Sequence, residues 1–470
     1  MLAFRKLLFD QLTPITIFAK LQTYFEGELS FLFESAINNA EGNFSFLFIG
    51  ARERIIHHHD KSVHIDENGT SYDIGENPFK FLKQRYALVD QASYKAQAQE
   101  LGIGFIDGFI GYIGYDAVKI FEPRLRAHMD NLSSEIDIPD IDLMRPKLIC
   151  AFSHKSNTLT LSTFIPSIAS QMDQIEALLK EPHTHIPIQK SVIDKAKGSF
   201  AFSKEEFFQM VEKSHEMILS GDVFQLLLSN RFTQYATIDR LSFYRILRQK
   251  NPSPYMFYLS YPSFAIIGSS PEVMVGLKDG HIILRPIAGT RKRGKTYEKD
   301  MAYEAELLAD EKERAEHLML IDLGRNDLGR VAKVGTVCVK DMMRVERYSH
   351  VMHLVSDIEA TLDSKYDMFD LFAATFTAGT MTGTPKIRAM ELISDFEGIK
   401  RSFYSGVAGY FGFDGNMDSC IMIRTAYLDE EKIIFQAGAG IVADSKAEFE
   451  YLEVTNKLGA MTSSLDDLKE

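Results

Sequence analysis

Along the chain, short runs with a two-residue hydrophobic period alternate with longer stretches of helical period. In the N-terminal part SFLFIG, RERIIHHH and LICAFS read as strands, while ENGTSYDIGENP reads as loop. IASQMDQIEALLKE carries an amphipathic helical stripe. The polar, Pro-containing EPHTHIPIQ after it has no periodicity and places a linker near residues 182–198. A capped helix follows: Ser203 and Glu206 form a capping box ahead of FFQMVEKSHEMIL, and Gly221-Asp222 ends it. Further on, FAIIGSS, HIILRPI and KIIFQAGAGIV read as strands. KDMAYEAELLADEKERAEHLML and AEFEYLEVTNKLGAM read as long helices. One pattern occurs twice. GFIGYIGYD (108–116) and GVAGYFGFD (406–414) both fit G-x-x-G-Y-x-G-aromatic-D, which predicts related Gly-rich strands in two facing sheets.

Composition narrows the function classes. At 470 residues and 45% hydrophobic content the chain can bury a large core. Its 52 Lys+Arg against 65 Asp+Glu give a net charge of -13, which disfavours a nucleic-acid binder. The three cysteines (Cys150, Cys338 and Cys420) show no CxxC spacing, which argues against a disulfide framework and fits a reducing cytoplasm. The opening MLAFRKLLFDQLTPITIF is broken by Arg5, Lys6 and Asp10, so neither a secretory signal nor a membrane span is expected.

Candidate chemistry is spread widely. GIGFIDGFIG lacks the strand–turn–helix context of a dinucleotide site. GTMTGTPK (379–386) reads as a Gly/Thr loop entering a helix through Pro385, whose free N–H groups suit a carboxylate or phosphate. His57, His58 and His59, with His64 nearby, are adjacent strand positions that point to opposite faces and converge poorly on one ion. Glu313 with Glu316, and Glu450 with Glu453, are i,i+3 pairs, each on one helix face. Two such helices facing each other can hold Mg2+ through hard oxygen ligands; equally, each pair fits a solvated charged face. His350 and His353 lie in an apolar β-like run, where a histidine is either structural or a general acid or base.

Longer segments carry a resemblance. GDVFQLLLSNRF, SSPEVMV, RPIAGTRKRG, DEKERAEHLMLIDLGRNDLGRV, YSHVMHLVS, GTMTGTPKIRAMELI, YSGVAGYFGFDG, IMIRTA and QAGAGIVADS run in family order across residues 200–460. Together they resemble the chorismate-utilising enzymes, specifically anthranilate synthase component I. TPITIFAKL, FLFESA and GYIGYDAVKIFE extend the match more loosely toward the N-terminus.

The resemblance implies an α+β fold of two facing antiparallel sheets with helices outside. It also implies an N-terminal region (1–185) bearing an inhibitor site and a catalytic region (200–465). The reaction implied is amination of chorismate at ring C2 with loss of the C4 hydroxyl, then elimination of enolpyruvate to give anthranilate and pyruvate. Glu316 and Glu453 are the expected direct Mg2+ ligands, supported through waters by Glu313 and Glu450. Glu272 takes the general-acid position and His353 a proton-transfer position. Tyr404, Arg424, Thr290, Thr380, Lys457 and the backbone of Gly438, Ala439 and Gly440 complete the expected substrate pocket.

Gln225 and Ala288 stand where water-adding and aminodeoxychorismate-forming relatives respectively carry a lysine. That favours direct amination, with aminodeoxychorismate synthase component I as the alternative. Glu34, Ser35, Pro254, Tyr255 and Met256 correspond to a tryptophan feedback site. The absence of any Trp beside 34 Phe and 19 Tyr suits an enzyme needed when tryptophan is scarce. With no glutaminase nucleophile in the chain, a separate glutamine amidotransferase is expected, the two forming a heterotetramer.

Overall fold

Side chains alternate across the strands, and here the alternation serves two separate hydrophobic clusters. The computed structural model describes residues 1–35, 44–182, 185–348 and 351–468. On strand Ser30–Glu34, Phe31 enters one cluster and Leu32 the other. On Tyr255–Ser260, Phe257 and Leu259 join Phe31, whereas Met256 and Tyr258 join Leu32. The second cluster also takes Ile17, Phe18, Phe207, Phe243 and Leu458, so this face lies under helices Pro14–Tyr24, Lys204–Leu219, Arg240–Lys250 and Ala447–Thr462. The first cluster holds Ile110, Ile282, Ile358 and Phe411 from a second set of strands, and so joins sheet to sheet. This division needs a strict period of two.

Every ladder between named strands is antiparallel. One series passes from Ala3–Leu8 through Thr158–Thr163, Ile141–Ser153, Phe44–His58, Ser30–Glu34, Tyr255–Ser260 and Ala265–Ser270. It continues through Thr425–Leu428 and Lys432–Ile441 to Gln225–Thr237 and Val192–Phe200. The other leaves the N-terminal half of Ile141–Ser153 through Gly108–Ile113, Val407–Gly412, Met417–Ile421, Gly276–Lys278 and His281–Leu284. It ends at Val351–Thr361, flanked by Ile287–Lys292 and Cys338–Arg347. Strands Phe44–His58 and Ile141–Ser153 belong to both series, with a register shift between Ala51 and Glu53. The expected α+β fold with antiparallel sheets and outer helices is therefore present. Strands from the first 185 residues pair directly with strands beyond residue 200.

Several local expectations are corrected. The repeated Gly-rich segments do not lie in facing sheets; they are neighbours in one sheet, in a ladder centred on the equivalent glycines Gly111 and Gly409. Both positions need the missing side chain. A Cβ at Gly111 would stand 2.1 Å from the Asp142 carbonyl oxygen, and one at Gly409 would stand 2.4 Å from that of Asp418. The predicted loop 67–78 contains strand Ser71–Gly75, whose polar, exposed residues gave no hydrophobic signal. Part of the predicted linker is the edge strand Val192–Phe200. The helical stretch 299–320 is two helices, Tyr297–Ala309 and Glu311–Gly329, divided at Asp310. Within the histidine run, His57 turns to the Ser62 hydroxyl and His64 to Glu53, as poor convergence predicts, whereas His58 and His59 come together. His58 ends its strand and His59 (φ 49°) sits in the turn, so their rings lie 3.7 Å apart. His350 lies outside the described residues.

Candidate active site

Asp310 begins the construction of the site. Its carboxylate accepts hydrogen bonds from the N–H groups of Lys312 and Glu313, starting a new helix at Glu311. Glu313 thus falls in the first turn and Glu316 one turn later on the same face. Opposite, helix Ala447–Thr462 carries Glu450 and Glu453. The two pairs face each other. Burial first, then the charges of Glu313 and Glu453, raise the Glu316 pKa; burial, then Glu453, raise that of Glu450. Apart from this, Glu313 takes an ion pair from Arg291 at 3.1 Å, and Glu453 one from Lys457 at 2.7 Å. No three of the four carboxylates bring oxygens within 4.8 Å of one another. The four carboxylates supply the hard oxygen donors that Mg2+ selects, with waters completing its shell.

Gln225 begins strand Gln225–Thr237 and donates from Nε2 to Glu316 Oε1 at 3.0 Å. Its neighbour strand Lys432–Ile441 presents Gly438, Ala439 and Gly440. Alternation places Gly438 and Gly440 on one side and Ala439 on the other. The Gly438 carbonyl accepts from Lys457 Nζ at 2.9 Å, and Ala439 joins the cluster that holds Leu458, so the Ala439 side lies under helix Ala447–Thr462. A Cβ at Gly440 would come within 2.5 Å of Gln225 Nε2, and one at Gly438 within 3.0 Å of the Tyr404 hydroxyl. The glycines therefore admit close approach to these polar groups.

Glu272 follows strand Ala265–Ser270 and is 6% exposed. Burial pushes its pKa up to about 8, although the Thr380 hydroxyl donates to Oε1 at 2.8 Å and Arg424 and Lys457 act in the opposite direction. It is therefore protonated at neutral pH. His353, 8% exposed on Val351–Thr361, is pulled down to about 4, mainly by burial and further by Arg424 and Lys457. Its Nδ1 lies 3.0 Å from the Gly289 carbonyl, which can only accept, and 3.0 Å from Thr290 Oγ1. Nδ1 thus carries the proton and Nε2 offers a lone pair.

Arg424 stands in the turn between Met417–Ile421 and Thr425–Leu428 at φ 49°, an uncommon conformation for a non-glycine residue. Among the described residues its guanidinium has no ion-pair partner, which leaves it available for a ligand carboxylate. A small cavity of about 30 Å3 reaches Glu272 and Thr380 and extends between Met274, Leu320, Leu323 and Gly324.

Of the predicted inhibitor residues, Glu34 and Met256 come together, while Tyr255 points to the opposite face of its strand. Glu34 is buried, accepts from the Tyr244 hydroxyl at 2.5 Å and pairs with Arg248 at 3.1 Å. Met256 lies opposite Glu34 in the sheet, while Tyr255 donates to Asp418 at 3.0 Å. Ser35 and Pro254 adjoin Glu34 and Tyr255 in the chain and are half-buried.

Two contributors escaped the sequence reading. Tyr348 packs edge-on against the His353 ring at 5.5 Å. Arg401, 1% exposed, donates to Glu397, to the Met381 carbonyl at 2.9 Å and to the Leu227 carbonyl at 2.7 Å, and lies 5.8 Å from the Tyr404 ring. It ties the Gly/Thr loop, the Gln225 strand and Tyr404 together. A lone Arg beside Ser in a chain rich in charge carries no sequence signal.

Residues 30–463 match the family model described as chorismate binding enzyme. Anthranilate synthase component 1 of Aquifex aeolicus is 40% identical, the alignment covering 99% of this chain and 95% of that protein. The Acinetobacter calcoaceticus protein of the same name is 39% identical over 98% and 94%. The crystal structure of anthranilate synthase component I from Streptococcus pneumoniae superposes with a TM-score of 0.78 at 32% identity, covering 91% of this chain and 93% of that one. The menaquinone-specific isochorismate synthase of Escherichia coli, at 18% identity and TM-score 0.73, shares the fold. With a match that spans nearly its whole length, the chain belongs to the chorismate-binding enzyme family.

Proposed function

We propose that this chain is the chorismate-converting subunit of an anthranilate synthase. The observation that carries the reading is the opposed protonation of two buried groups that both feel the charges of Arg424 and Lys457: Glu272 holds a proton at neutral pH while His353 offers a lone pair. Glu272 gives its proton to the departing C4 hydroxyl, which leaves as water while ammonia bonds to C2. His353 Nε2 then takes the C2 proton as enolpyruvate leaves, restoring the aromatic ring and releasing pyruvate. Arg424 and Tyr404 hold the enolpyruvyl carboxylate, with Thr290, Thr380, Lys457 and the Gly438–Gly440 backbone around the ring. Glu316 and Glu453, supported by Glu313 and Glu450, would hold Mg2+, which supplies charge neutralisation and orientation for the ring carboxylate.

Gln225 supports amination over hydration. Its amide is already donating to Glu316 and has no basic nitrogen with which to activate water. Ala288 has no amine to form a covalent adduct. Because ammonium is not nucleophilic, the ammonia comes from a partner glutamine amidotransferase in a cytoplasmic heterotetramer. Tryptophan inhibits through the cluster around Glu34, Ser35, Pro254, Tyr255 and Met256. The shortest route from there is through the sheet: Tyr255 lies opposite Ser270, whose hydroxyl accepts from the Glu272 N–H at 3.3 Å.

The test is to incubate the chain with chorismate, Mg2+ and ammonium at raised pH. Fluorescent anthranilate with equimolar pyruvate is expected. Aminodeoxychorismate without pyruvate, or isochorismate, would overturn the reading.

A further inference from the structure

The triple histidine, which the proposed reaction does not use, ends in a second arrangement of donors. The hairpin between Phe44–His58 and Lys61–Ile65 turns on His59 (φ 49°) and Asp60 (φ 58°). Such a two-residue turn normally takes Asn-Gly, because both central residues have positive φ. Here it carries two side chains that each make contacts. Asp60 pairs with the buried Lys119 at 3.0 Å and with Arg126 at 3.5 Å, which fixes the turn to the body. His59 is left free to lie against His58.

The third member arrives from the segment that leads into the neighbouring strand Ile141–Ser153. Ile141 is the register partner of His57, and the chain just before Ile141 brings Asp137 to the histidines. That segment is itself secured, since Glu135 accepts from the Thr233 hydroxyl at 2.9 Å. Asp137 Oδ1 stands 3.1 Å from His58 Nε2 and 3.5 Å from His59 Nε2. Four ligands held tetrahedrally about 2.0–2.1 Å from an ion are separated by about 3.3–3.4 Å, and both separations bracket that value. Among the described residues this is the one group of His, Cys, Asp or Glu whose donor atoms all lie within 4.8 Å of one another.

We propose that His58, His59 and Asp137 form a surface site for a borderline divalent transition-metal ion of the zinc, cobalt or nickel class, with water as fourth ligand. Two imidazole nitrogens exclude Mg2+ as its natural occupant, because that ion selects oxygen ligands in an octahedron. The site is therefore chemically distinct from the glutamate quartet.

Cobalt is the probe that separates them, since a tetrahedral Co2+ complex absorbs visible light far more strongly than an octahedral one. The full chain, carrying Cys338→Ser to remove the exposed thiol, is titrated with Co2+ under saturating Mg2+. One equivalent of tetrahedral absorption is expected. Glu316→Gln should retain it, whereas His59→Ala and Asp137→Asn, at exposed positions, should each weaken binding by at least about tenfold. Circular dichroism confirms that the variants are folded. No tetrahedral band at excess Co2+, or a band unchanged in the His59→Ala/Asp137→Asn double variant, overturns the site.

Discussion

At the residue scale, burial keeps Glu272 protonated at a pH where it would ionise in water, and keeps His353 neutral into the acid range where a free imidazole would take up a proton. With free ammonia held constant, turnover is expected to be flat below about pH 8 and to fall above it as Glu272 ionises. The direction follows from the raised pKa: protons leave Glu272 as pH rises, and the acid form is the active one. His353, already neutral above about pH 4, adds no acidic limb between pH 5 and 8. Glu272→Gln should lower kcat by about 10²–10⁴-fold with a smaller change in KM, measured by anthranilate fluorescence. Arg401→Leu leaves the buried Glu397 without its cation, which should cost about 3–5 kcal/mol in a denaturant titration. Glu272 and His353 were legible in sequence only through the motifs around them. Arg401 was not legible, because its importance lies in three segments that meet only in the folded chain.

Helix and strand periodicity showed which elements exist but less well where they stop. The capping box at Ser203 and Glu206 is present as read, with Ser203 accepting from the Glu206 N–H at 3.2 Å. The break at Asp310 went unseen because good helix formers flank it on both sides, and an acidic residue there looks like one more charge on a solvated face. The new helix start sets the orientation of Glu313 and Glu316, two of the proposed Mg2+ carboxylates. Asp310→Ala should therefore cost about 0.5–2 kcal/mol of stability. It should also raise the Mg2+ concentration needed for half-maximal turnover. On the inhibitor side, Glu34→Ala should raise the half-inhibitory tryptophan concentration by at least about tenfold, because the carboxylate organises Tyr244 and Arg248 around that cluster. Edge strands such as Ser71–Gly75 were invisible for a different reason: apart from the half-buried Ile74, their residues are exposed to water.

For the molecule as a whole, the two sheets depend on contacts between distant parts of the sequence. The repeated Gly-rich motif was legible, but its partnership was not, since similarity between two segments does not say whether they face or adjoin. Gly409→Ala tests the arrangement. A methyl group 2.4 Å from the Asp418 carbonyl forces the strands apart, so a clear fall in Tm is expected in calorimetry, whereas Gly104→Ala, with nothing within 4 Å, should be tolerated. The same pairing bears on biosynthesis. Strand Gly108–Ile113 meets Val407–Gly412 only after about 300 more residues have been made, an interval on the order of 15–60 s at about 5–20 residues per second. Until then the emerging polypeptide leaves the ribosome with an unsatisfied apolar edge, and the enzyme's yield in a cell will depend on what shields that edge while translation finishes.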